Sequence, residues 1–290
     1  MCAQVSAADL LLTALRLRLR KHWTAKITFV AVSMAAVFAA QANAQSQCDS
    51  KPLASGIAAR VLDPRTILLS DGREVRLAGI ALPSSSMTGE TAEASRKWED
   101  GARAALEQAL AGQEISVRTD QPAPDRYGRW HAFAFVKRGG LERLLQHDML
   151  TLGLALVAPR VGALGCAREL LAAEGKARGA VVGIWSDAQV VRNADQPKAL
   201  LMERGRLVLV ESQVLSVRES GGTIYLNFGR RWSEDFTVTI PKRDERRFVA
   251  AGMILKALER RRVRVRGFIE ERGGPWIEAR YPEQIELLQD

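Results

Sequence analysis

Histidine, cysteine and tyrosine are scarce, with three of each among 290 residues. Three cysteines are too few to build a fold from disulfides. His22, His131 and His147 are scattered along the chain, so no histidine-based metal site or catalytic triad is visible. The chain also lacks a glycine-rich phosphate loop, a Cys-x-x-Cys pair and a dinucleotide fingerprint. What remains is an ordinary globular composition, 47% hydrophobic and 26% charged. It excludes a mostly disordered, collagen-like or multi-span membrane chain, and the length suggests about two domains. The formal charge is +9, which says where a partner could adhere and nothing about chemistry.

Part of that charge belongs to residues 1–44. Arg16, Arg18, Arg20, Lys21 and Lys26 precede an apolar run from Ile27 to Ala40, and Ala42-Asn43-Ala44 follows. A basic stretch, a short apolar stretch and a small-x-small site predict a signal peptide cleaved after Ala44. The apolar run is shorter than the ~20 residues that span a bilayer, so no membrane span is expected after cleavage. The protein is then exported, to the periplasm or beyond. Its mature part carries 37 basic and 32 acidic residues, a charge of +5. Cys48 and Cys166 remain; in an oxidising compartment they are either disulfide partners or two unrelated thiols.

Apolar and polar alternation predicts strands at 57–62, 66–69 and 74–80, with Asp71-Gly72 as a hairpin turn. A helix is expected near 90–110, strands at 114–118 and 129–136, a Gly-Gly turn at 139–140, and helices near 141–150 and 164–178. Residues 190–203 read as a linker. Beyond it, strands are predicted at 206–217, 223–228 and 236–240, a helix at 244–258, and strands at 263–270 and 276–279. Each half thus runs strand-strand-strand-helix-strand-strand, the order of a five-stranded OB-type barrel. The expected fold class is β-rich α+β, with domains at 45–189 and 204–290; the second is a smaller OB-like β domain.

Four segments of the first half carry a family resemblance. They are Val61-Leu62-Asp63-Pro64-Arg65-Thr66, Val75-Arg76-Leu77-Ala78-Gly79-Ile80-Ala81-Leu82-Pro83, Asp125-Arg126-Tyr127-Gly128-Arg129 and Gly183-Ile184-Trp185-Ser186. Together they resemble the staphylococcal nuclease (thermonuclease) family over about residues 54–187. The resemblance implies an OB-fold barrel and a phosphodiesterase design. In active members acidic side chains hold calcium, a glutamate activates water and two arginines clamp the phosphate. Calcium needs ~6–8 oxygen ligands, and a guanidinium fork fits phosphate and stays charged.

The arginines match, as Arg76 and Arg129. The carboxylates do not. Arg65 and Ala81 stand where metal ligands are expected, and Ser84 stands where the general base is expected. The tyrosines expected of the pocket are missing from Ala155 to Val161. No calcium, and no other cofactor, is therefore expected. The reading is a degenerate nuclease, a pseudoenzyme in which Arg65, Arg76 and Arg129 survive as a cradle for DNA, RNA or another polyanion. Two alternatives stay open: an active nuclease using Asp63, Glu74 or Glu90, and a periplasmic protein-interaction module. Trp185 is expected in the core.

After export, the positive surplus falls almost wholly in residues 204–290, at +4, around Lys242-Arg243, Arg246-Arg247 and Arg260 to Arg266. This is read as a solvated edge that keeps strands from pairing with other molecules. Tyr225, Phe228, Trp232, Phe236 and Trp276 show no evident stacking platform for single strands.

Overall fold

The computed structural model describes residues 48, 50–85, 87, 91–138, 140–162, 164–231 and 233–288. The predicted signal peptide, Glu90, Gly139 and Trp232 lie outside the described residues. In the first half, β1 (Pro52–Asp63), β2 (Thr66–Leu69), β3 (Glu74–Leu77) and β4 (Ile80–Ala81) precede α1 (Ala92–Leu110). Then follow β5 (Glu114–Arg118), β6 (Arg129–Arg138), β7 (Leu141–Leu144), α2 (Leu145–Thr151), β8 (Leu156–Val157) and α3 (Leu164–Gly179).

Strands β1, β2 and β3 form an antiparallel meander, β3 runs parallel to β6, and β6 returns through β5 to β1. The sheet therefore closes on itself, which removes open edges. Alternation does the sorting: Val75 and Leu77 are buried, whereas Glu74 and Arg76 are half-exposed. Thr91 caps α1 by accepting a 3.1 Å hydrogen bond from the Ala94 amide, and Ala102, Leu106 and Leu110 turn one helical stripe inward.

The helix expected at 141–150 begins instead as a strand. Leu141–Leu144 extends the sheet against β6, and α2 starts only at Leu145. Gln146 explains the docking. Its side chain is fully buried, accepting from the Ala134 amide and donating to the carbonyls of Ala132 and Ala78. The amide thus ties α2 to backbone groups of the ring, among them the Ala132 carbonyl, which also accepts the Ala78 amide at 2.8 Å.

The stretch read as a linker is packed structure. It holds β9 (Val191–Asn193) and α4 (Pro197–Met202), with Val190, Ala194 and Leu200 buried. The second half continues with β10 (Leu207–Gln213), β11 (Ser216–Ser220), β12 (Thr223–Asn227), β13 (Thr237–Pro241) and α5 (Glu245–Ala250). It ends with β14 (Arg262–Phe268), β15 (Glu270–Arg272), β16 (Gly274–Glu278) and β17 (Ile285–Leu287). The strand expected over 206–217 is broken between β10 and β11. The helix expected over 244–258 shrinks to α5 flanked by 3-10 turns. Here too a meander, β11-β12-β13, leads to a parallel partner, β16. The latter pairs with β15, and β14 pairs with β10. Both halves thus share a three-stranded meander whose last strand takes a parallel partner, but the strands of the second half lie in two sheets, β17-β14-β10-β9 and β11-β12-β13-β16-β15.

Each ring has its own apolar core. A third cluster combines Leu156, Ile184 and Trp185 with Leu207 and Leu209, so the halves also share a core. A disulfide joins Cys48, ahead of β1, to Cys166 on α3.

The basic stretch around residues 260–266 is only partly solvated. Arg264 and Arg266 are buried, at 7% and 1% exposure. Arg266 reaches from β14 into the first half, where its guanidinium donates to both oxygens of Glu174 on α3 (3.0 and 2.6 Å), to the Val157 carbonyl and to Glu286. Glu174 also accepts the Val157 amide at 2.7 Å. Burial disfavours the Arg266 charge, but Glu174 and Glu286 outweigh it and hold the proton more tightly than usual. A cluster expected to face water therefore ties the two rings together.

Candidate anion-binding site

The three arginines arise from three turns of chain. Asp63 ends β1, and its Oδ1 accepts the Arg65 amide at 2.8 Å, closing a tight turn into β2. That turn aims the Arg65 side chain across the barrel mouth, where Nη1 donates to the Ile80 carbonyl at 2.7 Å. Arg76 lies on the outward face of β3; its Nη1 is 3.4 Å from Thr66 Oγ1 and 3.8 Å from Asp63 Oδ2. Arg129 opens β6, beside Glu74 in the parallel ladder, and His131 pairs with Arg76.

The turn before β6 is built by Asp125. Its Oδ1 accepts the amides of Tyr127 and Arg129 at 2.9 and 3.0 Å. Its Oδ2 accepts Arg129 Nε and Nη2, at 3.1 and 2.9 Å, and lies 3.1 Å from His131 Nε2. Desolvation works against the Asp125 charge, yet these bonds hold the carboxyl well below its ordinary range. Tyr127 lies under the Arg129 guanidinium, 4.7 Å from ring centroid to carbon.

Arg65 is the cation held below its ordinary value. Its pKa is lowered to about 10, first by burial and then by repulsion from Arg76, with Arg129 adding and Asp63 opposing. Its Nε is buried without a hydrogen-bond partner. Arg65 lines a cleft of about 400 Å³, together with Asp120, Asp125, His131 and Arg160. Arg76 and Arg129 do not line it.

Residues 74–187 match the family model described as Staphylococcal nuclease homologue. This segment is similar to the staphylococcal nuclease homologues. Arg76, Ala81, Ser84 and Arg129 fall inside the matched range, and Arg65 lies ahead of it. A comparison with curated proteins found no match.

The two positions expected to hold calcium carry the wrong chemistry. Arg65 offers a guanidinium, hydrogen-bonded to the carbonyl of Ile80, and Ala81 offers a methyl group. Neither can ligate a hard cation. Ala81 is spent on β4, paired with Leu156 of β8. Ser84 is half-buried in the following loop, where its carbonyl accepts the Met87 amide at 2.9 Å. Among the described residues, no group of three or more His, Cys, Asp or Glu converges to hold a metal ion. Asp63 faces Arg76 rather than another carboxylate, and Glu74 sits beside Arg129 on the ladder. These residues do not fit calcium.

Leu156 and Val157 are buried, so the stretch expected to offer tyrosines offers core instead. An aromatic ring reaches its far end from the second half: Tyr281 lies 5.4 Å from the Arg160 guanidinium carbon. Glu283 Oε1 accepts the Val161 amide at 2.7 Å. Trp185 is in the shared core, as the sequence suggested, with Arg178 over its ring at 5.2 Å.

His131, Asp120 and Arg160 were missed as cleft residues. His131 could have been found, because strand alternation places it on the same face as Arg129, two residues on. Arg160 carried no comparable signal.

Proposed function

We propose that this is an exported protein whose nuclease-homologue domain binds a polyanion, single-stranded nucleic acid in particular, without calcium-dependent hydrolysis of the family type. The observation that carries the reading is Arg65. A guanidinium stands where the resemblance places a metal ligand, and its charge is disfavoured first by burial and then by two further arginines. An incoming phosphate would relieve that repulsion and offer an acceptor for the guanidinium. A fixed cation can bind phosphate in this way but cannot lower the pKa of a water molecule as a metal does. Position 84 itself carries a serine in place of the general base. Export is supported by the features of residues 1–44 and by the disulfide, which persists in oxidising compartments.

The test is fluorescence anisotropy with labelled oligo-dT across a salt series, with calcium and with EDTA. Binding is expected to weaken steeply with salt, by a log–log slope of about −0.7 for each phosphate neutralised. EDTA is expected to change nothing, and Arg76→Ala/Arg129→Ala to abolish binding. Cleavage of the oligonucleotide that requires calcium would overturn the reading, as would absence of binding at low salt.

A further inference from the structure

The outward face of the second ring carries a separate polar cleft, of about 250 Å³. It forms where β12, β13 and β16 lie side by side. Tyr225 stands opposite Thr239 and Asn227 opposite Thr237, while Thr237 neighbours Trp276 and Thr239 neighbours Glu278. The alternate residues Ile224, Leu226, Val238, Ile240 and Ile277 face the core, so this polar set shares the opposite face.

Two features mark it as a built site. The Oγ1 atoms of Thr237 and Thr239 are buried and have no hydrogen-bond partner in the protein. Valine would fill the same space without stranding a hydroxyl, and each stranded group calls for a ligand. The end of the cleft is also closed. The turn at Arg272–Gly274 lies against the 233–235 loop so tightly that a Cβ on Gly274 would meet the Asp235 carbonyl at 2.8 Å. Arg272 in turn lies over Trp276, 3.4 Å from its ring centroid.

The charges select the ligand. Among the described residues, Arg272 is the one cation lining the cleft, against the carboxylates of Asp235 and Glu278. A phosphodiester would meet net repulsion. A ligand is needed that donates to carboxylates, both donates to and accepts from threonine hydroxyls, and presents C–H groups to the face of Tyr225. We propose that this cleft holds one uncharged sugar ring of an oligosaccharide. Its volume lies below the ~300–1,000 Å³ of sites for drug-sized ligands, which suits a single ring of a longer chain.

The site is independent of the arginine cradle, and the test keeps the two apart. The full chain is titrated calorimetrically with neutral tetrasaccharides of glucose, N-acetylglucosamine and mannose. At least one is expected to bind in the sub-millimolar range, equally at low and high salt. Thr237→Val/Thr239→Val should weaken that binding about tenfold, as loss of two hydrogen bonds implies, while Tm stays level or rises. Tyr225→Ala should weaken it as well, and Arg76→Ala/Arg129→Ala should leave it unchanged. The proposal is overturned if no tetrasaccharide binds. It is also overturned if the double valine variant and Tyr225→Ala both bind normally, or if oligo-dT competes for the cleft with a steep salt dependence.

Discussion

Arg129 donates from both Nε and Nη2 to one oxygen of Asp125, and His131 approaches that same oxygen. A phosphate reaching Arg129 must therefore compete with a carboxylate already in place. Asp125→Asn removes the internal counter-ion. Oligo-dT affinity at low salt is expected to rise ~3–10-fold, the modest gain that freeing an exposed arginine implies. The log–log salt slope should steepen by ~0.7. Anisotropy titrations of the variant and the parent chain measure both.

The same pair sets a pH dependence. The folded state holds the Asp125 pKa below its ordinary value, so the folded form binds the proton less readily than the unfolded one. Its stabilising contribution is complete above the unfolded carboxylate value of ~3.9 and fades as pH falls below it. The Tm gap between the parent chain and Asp125→Asn should be present at neutral pH and narrow at about pH 3. Calorimetric scans at both conditions measure it, and a gap that widens in acid would contradict this account.

Glu174 is fully buried beneath Arg266. Glu174→Ala leaves a guanidinium buried with half its compensation gone, and should cost ~3–5 kcal/mol in urea unfolding. Replacing both partners by apolar residues, as Arg266→Met/Glu174→Leu, should recover most of that loss, because a buried ion pair is seldom worth more than good packing.

Reduction should be felt through the whole first ring. The Cys48–Cys166 bond closes a separation of 118 residues. Adding a phosphine reductant should lower stability by ~2–4 kcal/mol and should leave Cys48→Ala/Cys166→Ala unaffected. Parallel melts with and without reductant read this directly.

Much of the first ring was legible because local signals agreed. Asp71-Gly72, the Val75/Leu77 alternation and the Asp125–Arg129 turn each specify their own geometry within a few residues. What stayed hidden depended on distant partners. Leu141–Leu144 reads as helix until β6 lies beside it, and Gln146 reads as a surface amide until three backbone groups surround it. Arg264 and Arg266 look like a solvated run, since nothing near them in sequence announces Glu174 or Glu286. Thr237 and Thr239 look like ordinary strand formers; their stranded hydroxyls exist only once β16 and the 233–235 loop are in place. Phe228 and Phe236 were weighed as surface aromatics, and their rings meet in the core at 5.0 Å.

The salt link between Arg266 and Glu174 also bears on how the polypeptide can be divided. A protease nick in the exposed turn at Asp195–Gln196 would leave β9 on one fragment and its partner β10 on the other, with Arg266 still seated on Glu174. The two fragments should stay together as a non-covalent pair and reassemble when co-expressed. Either fragment alone would carry an orphaned buried ion. The amino-terminal fragment would also lose Glu283 from the Val161 amide, and with it the support for one wall of its own anion cleft. The second half is thus a structural support of the cleft that Arg65 lines.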